Sequence, residues 1–283
     1  MSAQPNLGKL VYRKDLTPDL AIIRIQPSDG SPVPDFKPGQ FVTLGLKLDG
    51  EGDKITNRAY SLSSPPEEKR YFELYIKWAQ EPVPGKFTTA LFNMKEGDEL
   101  YWRKPAGAFT IEDKRVDGTP DERTLVLVAS GTGLAPFVGY ALHLKATGSR
   151  RRIALLHGAR NAKELGYRDL FERLAKESNG NFVYLPTVSR PNDPGSEGWT
   201  GHTGRVESLL VPKDSNGNGG GDRLSELERA LGGKVTPENS FFHICGYSGT
   251  IDSVISILQP LGFVSNRHKR KDGSFDIKVE TYG

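Results

Sequence analysis

Residues 124–137 read TLVLVASGTGLAPF. The apolar run Leu125–Ala129 describes a strand buried on both faces, and the amphipathic residues beyond it describe a helix. The glycine-rich piece between them is therefore a strand-to-helix corner. Such a corner cradles a dinucleotide phosphate when it carries G-x-G-x-x-G. Gly131 and Gly133 fill the first two glycine positions, but Pro136 stands at the third, so the stretch is not that fingerprint. Pro136 suits a first helical position instead. Read alone, the corner is equally a functional loop and a tight turn.

The sequence beyond the corner repeats its pattern. IALLHGA, FVYLPTV and FFHICG are further apolar runs. PFVGYALHLKA, AKELGYRDLFERLAKES, RLSELERAL and TIDSVISILQPLG alternate with them at helical spacing. A β-α-β-α string of this kind predicts a doubly wound parallel sheet. KDSNGNGGGD at 213–222 reads as a flexible inserted loop.

Before the corner the pattern differs. LGKLVYRK, LAIIRIQP, QFVTLGL, RAYSLS, YFELYIKW and ELYWRKPAG are six short strands separated by turn-rich pieces, with TTALFNM as the one short helix. Six strands with little helix predict a small antiparallel barrel. GAFTI at 107–111 reads as a turn into the barrel's last strand. The linker-like VDGTPDE places the division at 1–117 and 118–283.

Composition excludes several classes. The net charge of +3 on 283 residues gives no reason to expect a nucleic-acid partner. No apolar run approaches the roughly 20 residues of a membrane helix, and MSAQPNLGKLVYRK has no apolar signal core. A cytoplasmic monomer without membrane insertion is the expectation. The lone Cys245 excludes an intrachain disulfide and a four-thiolate cluster, and the five histidines have no ligand spacing, so no metal site is expected.

The remaining chemistry-bearing pieces each admit a plain reading. In RAYS, alternation puts Arg58 and Tyr60 on one strand face and Ala59 and Ser61 on the other. An arginine can hold a diphosphate and a tyrosine can stack on a planar ring, or the strand is ordinary. PGKFTTAL offers Gly85 and then Lys86, Phe87, Thr88 and Thr89, with amides and hydroxyls at a helix N-terminus, or merely a turn with a threonine cap. VSR places Ser189 and Arg190 at a parallel strand's end, where ligands bind, with Arg160 and Arg205 at the same edge. Hydroxyl and guanidinium suit a 2′-phosphate, although arginines are also common surface residues. In HICGYSG, Cys245 is a packing residue or faces the site. KVETY ends in an alternating strand whose terminal aromatic suggests docking. The basic run NRHKRKDG at 266–273 is a solvated loop or an attractor for an acidic partner.

Taken in order, these pieces resemble the ferredoxin–NADP reductase family. RAYS is similar to its R-x-Y-[ST] flavin motif, PGKFTT to its pyrophosphate loop and GTGLAPF to its nicotinamide loop. VSR, HICG and VETY follow in the same succession, so the resemblance spans about residues 8–282. It implies an FAD-binding antiparallel barrel followed by an NADP-binding doubly wound domain. Arg58, Tyr60 and Ser61 then hold FAD, with Tyr60 stacking on the flavin and Ser61 near its reactive nitrogen. Gly85 to Thr89 take the pyrophosphate, and Ala59, Tyr75, Lys77 and Gly246 join the cofactor-binding set. Thr132 and Gly133 match the nicotinamide loop. Ser189, Arg190, Arg160 and Arg205 match the 2′-phosphate site. Ser61, Cys245, Glu280 and Tyr282 form the implied catalytic set, with Tyr282 over the other flavin face.

The implied reaction is reversible: FAD takes a hydride from NADPH and passes single electrons to ferredoxin or flavodoxin. An NAD(P)H-dependent reductase component of an oxygenase, or a flavin-binding electron-transfer protein without turnover, is the alternative. Two features depart from the family pattern. Thr250 stands where C-G-x-x-x-M has methionine, and Gly283 follows the terminal tyrosine.

Overall fold

The computed structural model describes residues 5–50, 52–80, 82–212 and 224–282. They form two compact units. The first comprises 1–111 with 135–147, and the second 112–134 with 148–283. The insertion at 213–222 and the terminal Gly283 lie outside the described residues.

The first unit is built from β1 (Asn6–Thr17), β2 (Leu20–Pro27), β3 (Phe41–Lys47), β4 (Ile55–Ser61), β5 (Phe72–Lys77) and β6 (Glu99–Ala106), with helix α1 (Lys86–Asn93) between the last two. The sheet runs in the order β4-β3-β6-β1-β2-β5, with every pair antiparallel. An antiparallel bridge between Leu62 and Leu74, continued by Ser63 N–H donating to Glu73 O at 2.8 Å, joins the end of β4 to β5. The two outer strands thereby meet and the sheet closes into the expected barrel. Its interior holds Leu10, Ile23, Ile25, Val42, Leu44 and Leu74, with Phe72 and Trp102 edge to face at 5.1 Å. GAFTI does not lead into a strand. β6 has already ended at Ala106, Gly107 turns the chain at φ +116, and Phe109 is buried as a core ring.

The second sheet contains β7 (Thr124–Ser130), β8 (Ile153–Ala159), β9 (Phe182–Val188), the two-residue β10 (His202–Thr203), β11 (Ser240–Tyr247) and β12 (Ile277–Tyr282). All its pairs are parallel, in the order β10-β9-β8-β7-β11-β12. Leu125–Ala129 are fully buried, as their uninterrupted apolar run requires. The strand order reverses between β7 and β11, which makes the crevice at their C-terminal ends the topological switch point.

Helix α2 (Ala135–Ala146) belongs to the first unit although it follows β7. The Tyr140 hydroxyl donates to Phe109 O, and an added Cβ on Gly139 would come within 3.1 Å of Ser64 O. Pro136 is the second residue of this helix rather than the first, because Gly131–Leu134 form a 3-10 turn ahead of it. The expected single helix over AKELGYRDLFERLAKES is also interrupted. Ala162–Glu164 form a separate 3-10 turn, and α3 spans only Arg168–Glu177. Tyr167 sits at φ +58, a left-handed conformation that a right-handed helix cannot contain. Helix α4 (Glu226–Leu231) begins with a capping box between Ser225 and Glu228, and α5 (Ser248–Leu258) follows β11 directly.

At the N-terminal end of the second sheet lies a buried ionic cluster. Arg123 grips Asp121 at 2.6 Å and Asp276 at 3.0 Å, and Arg270 also pairs with Asp276. Burial alone would raise the Asp121 carboxyl, but the Arg123 hydrogen bond and the charges of Arg151 and Arg123 outweigh it and hold it below its ordinary value.

Candidate functional site

In the first unit, Arg58, Tyr60 and Phe87 come together. The Tyr60 and Phe87 ring centroids are 6.2 Å apart, and the Arg58 guanidinium lies 6.0 Å from the Phe87 centroid. Strand alternation puts Arg58 and Tyr60 on this face. The buried Phe87 packs against the Tyr60 ring, a role its place in a phosphate-loop motif did not reveal. Burial raises the Tyr60 hydroxyl well above its usual range, against the opposing pull of Arg58. Arg58 is exposed, and its guanidinium donates to Asn57 O at 2.8 Å. Ala59 is exposed and Ser61 is 5% exposed.

Gly85 caps α1, and no side chain supplies a cap. This corrects the threonine-cap reading. The Thr88 hydroxyl donates back to Gly85 O at 3.1 Å, and Thr89 Oγ1 accepts from Trp78 Nε1 at 2.9 Å. The first intrahelical bond is Thr89 N–H to Gly85 O, so the amides of Lys86, Phe87 and Thr88 precede it. No acid lies in this first turn. The donors at this turn are thus its amides and the Thr89 hydroxyl, which accepts from Trp78 and keeps its own proton, and they suit an anion. Tyr75 is buried in β5 opposite Ile22, and Lys77 reaches Asp19 at 3.5 Å.

In the second unit, the remaining expected residues lie along the C-terminal edge of the parallel sheet. Gly131 at φ +55 has open space where a side chain would be. Thr132 is half-buried beside it, and Gly133 packs so closely that a Cβ would stand 2.2 Å from Cys245 O. Gly246 is equally constrained: a Cβ there would meet Ser130 Oγ at 2.5 Å. Only glycine lets β7 and β11 converge this tightly at the switch point. Thr250 donates to Ser130 Oγ at 3.4 Å, so the threonine that departs from the family pattern ties α5 to the end of β7. Ser130 itself carried no signal beyond its place before the glycines.

Cys245 and Glu280 are in register on β11 and β12, as are Tyr247 and Tyr282 two residues further on. Parallel neighbours in register share a face. The Cys245 thiol donates to Glu280 Oε2 at 3.9 Å. Burial first, and then the Glu280 charge, raise this thiol well above its ordinary value. Tyr247 is 60% exposed and adds an aromatic to the same edge.

At the other end of that edge, Arg160, Ser189, Arg190 and Arg205 are all exposed. The backbone fixes two of them: Ser189 N–H donates to Ala159 O at 3.0 Å and Arg190 N–H to Arg160 O at 2.8 Å. Arg190 has a loose pairing with Asp193 at 3.6 Å. Three strand spacings, about 14 Å, separate β11 from β9.

Residues 7–111 match the oxidoreductase FAD-binding domain and residues 127–254 the oxidoreductase NAD-binding domain. The chain is 31% identical to the flavodoxin/ferredoxin–NADP reductase of Shigella flexneri, over 76% of each protein. It belongs to the ferredoxin–NADP reductase family.

As a member of that family it carries an oxidoreductase FAD-binding domain followed by an oxidoreductase NAD-binding domain. A ferredoxin NADP+ reductase from Neisseria gonorrhoeae, solved with bound FAD and NADP, superposes with a TM-score of 0.75 at 25% identity over 99% of both chains. The chain is also 29% identical to the F component of the Na(+)-translocating NADH-quinone reductase of Klebsiella pneumoniae. That match covers 73% of this chain but 46% of the Klebsiella protein, so the chain spans about half the length of these relatives. No helix among its described residues is long and apolar enough to cross a membrane.

Proposed function

We propose that the chain is a ferredoxin– or flavodoxin–NADP+ reductase. The carrying observation is the C-terminal edge of the second sheet. It has the Cys245–Glu280 pair at one end and Ser189 with three exposed arginines at the other, at a separation that an extended dinucleotide spans. Arg160 and Arg205 meet no carboxylate among the described residues, and a 2′-phosphate would give them, with Arg190, a partner. The open space over Gly131 accommodates the approach of the dinucleotide.

The first-unit residues fit FAD equally. The half-buried Tyr60 ring, packed against Phe87, offers a stacking face. Arg58 and the uncapped, acid-free start of α1 offer donors to a diphosphate. When bound, FAD converts a two-electron hydride donor into a source of single electrons. Cys245 stays a neutral thiol at physiological pH, donates to Glu280 and fixes that carboxylate's orientation. Glu280 can then accept or release a proton at the sheet edge.

The similarity to NADH-quinone reductase components supports a second reading, an NADH-using module with a different acceptor. Anaerobic stopped-flow mixing of the FAD-loaded protein with NADPH and then NADH separates the two. Flavin bleaching much faster with NADPH is the expected result. Equal or faster bleaching with NADH would overturn the 2′-phosphate assignment, and absence of bleaching with either would overturn the reductase reading.

A further inference from the structure

Ser130 is the last residue of β7, at the switch point, and directly precedes the open space over Gly131. Its hydroxyl is held from two elements. On β11, Gly246 takes φ +152, and a Cβ there would stand 2.5 Å from Ser130 Oγ and 3.3 Å from Ser130 Cβ. Glycine at 246 is what leaves room for this serine side chain. From α5, Thr250 Oγ1 donates to Ser130 Oγ at 3.4 Å. No other hydrogen bond engages Ser130 Oγ among the described residues, so the serine's own proton is unused. Both residues are half-buried, and the pair is covered without being sealed. Gly131 beside Ser130 and Gly249 beside Thr250 each have no atom within 4 Å of where a side chain would stand. The first turn of α5 holds no acid, so an approaching phosphate meets no repulsion from it.

We propose that Ser130 is a further binding residue, donating its hydroxyl proton to the diphosphate of the bound dinucleotide, and that Thr250 positions it. The proposal rests on the NAD(P)H-using reading above and adds a contact which that reading does not use. A serine hydroxyl rotates unless a partner fixes it. By accepting from Thr250, Ser130 Oγ turns a lone pair toward α5 and its proton away from it. Methionine, the residue at this place in the family pattern, could not donate and would leave the serine unoriented. The Thr250 bond is longer than the usual hydroxyl pair of about 2.7–2.8 Å, so its orienting effect is smaller than that of the contact it serves. Ser130 stands two strand spacings, about 10 Å, from β9 and its Ser189–Arg190 end. The contact therefore serves the part of the dinucleotide that NADPH and NADH share.

The test is calorimetric titration of the FAD-loaded full chain with NADP+ and with NAD+. It compares the wild type with Ser130→Ala, Thr250→Val, Thr250→Ser and the Ser130→Ala/Thr250→Val double variant, with a thermal midpoint for each. Ser130→Ala is expected to weaken both nucleotides alike, by roughly tenfold, the low end for a hydrogen bond to a charged group. Thr250→Val weakens both by about threefold, and Thr250→Ser restores the wild-type affinity. The double variant binds no more weakly than Ser130→Ala alone, because Thr250 acts through the serine. Unchanged affinity in Ser130→Ala overturns the contact even if the thermal midpoint falls, as does a loss confined to NADP+. A Thr250→Ser variant that behaves like Thr250→Val, or additive effects in the double variant, overturns the positioning role. Wild-type protein that binds neither nucleotide overturns the whole proposal. Binding of NADP+ without flavin bleaching by NADPH would instead refute the reductase reading, and the measured affinities would still decide the contact.

Discussion

The Cys245 thiol lies 3.9 Å from Glu280 Oε2, donated across two parallel strands that hold the residues in register. Burial and the neighbouring carboxylate both disfavour a thiolate. Cys245 should therefore resist iodoacetamide at neutral pH in the folded protein, as followed by mass spectrometry. Rapid alkylation at pH 7 without unfolding would contradict this environment. Because the folded thiol titrates above its ordinary value of 9.0, this contribution to stability is complete below that pH and is lost as pH rises beyond it.

His157, fully buried in β8, has burial pushing its imidazole down to about 3. Its Nδ1 meets the Tyr184 hydroxyl at 3.0 Å, while Nε2 has no partner among the described residues. Protonation favours the unfolded chain, so stability is full above about pH 6.5 and falls as pH drops toward the folded value, by roughly 1.4 kcal/mol per unit. Urea midpoints between pH 7 and 5 should fall more steeply for the wild type than for His157→Gln. Parallel curves would show that the imidazole is not the group responsible.

Gly133→Ala forces a Cβ to within 2.2 Å of the Cys245 carbonyl oxygen, and backbone on both sides leaves little room to yield. A loss of about 1–3 kcal/mol is expected. A thermal midpoint equal to that of the wild type would mean that the switch point is looser than its geometry indicates.

Arg190→Ala and Ser189→Ala test the far end of the same edge. Loss of one hydrogen bond to a charged phosphate costs about 1.5–3 kcal/mol, or roughly tenfold to a hundredfold in KM for NADPH, while the KM for NADH stays put. Equal effects on both cofactors would remove these residues from 2′-phosphate recognition.

Asp121→Asn leaves Arg123 and Arg151, each with a side chain 8% exposed, short of a counter-charge. Breaking a buried pair of this kind costs about 3–5 kcal/mol. The wild-type contribution is present above the ordinary carboxyl value of 3.8 and disappears as pH falls below it, whereas the variant's deficit should be largest near neutrality. Equal urea midpoints at pH 7 would show the network to be dispensable.

Most of the architecture was legible because it rests on local periodicity. Alternation marks the barrel strands, and unbroken runs such as Leu125–Ala129 mark strands covered on both faces. The Gly133 corner is legible as a strand-to-helix turn, but its close packing on Cys245 depends on a strand more than a hundred residues away. The Thr88 hydroxyl looks available because the sequence does not reveal that it donates to Gly85 O. Tyr167 carries no sign of its left-handed backbone. Asp121, Arg123 and Asp276 resemble solvated loop charges because their partnership spans 153 positions.

The placement of α2 has a consequence for how the chain can be divided. The polypeptide leaves the first unit after Ile111, returns for residues 135–147 and leaves again. A gene fragment ending at Ile111 would encode a barrel whose Phe109 ring and carbonyl lack Phe137 and Tyr140. The complementary fragment would carry a helix whose inward aromatics have lost their seat. The halves are interleaved rather than concatenated. Exchange of modules by a single crossover, in the laboratory or in evolution, would have to bring along a matching Ala135–Thr147 segment or rebuild its packing.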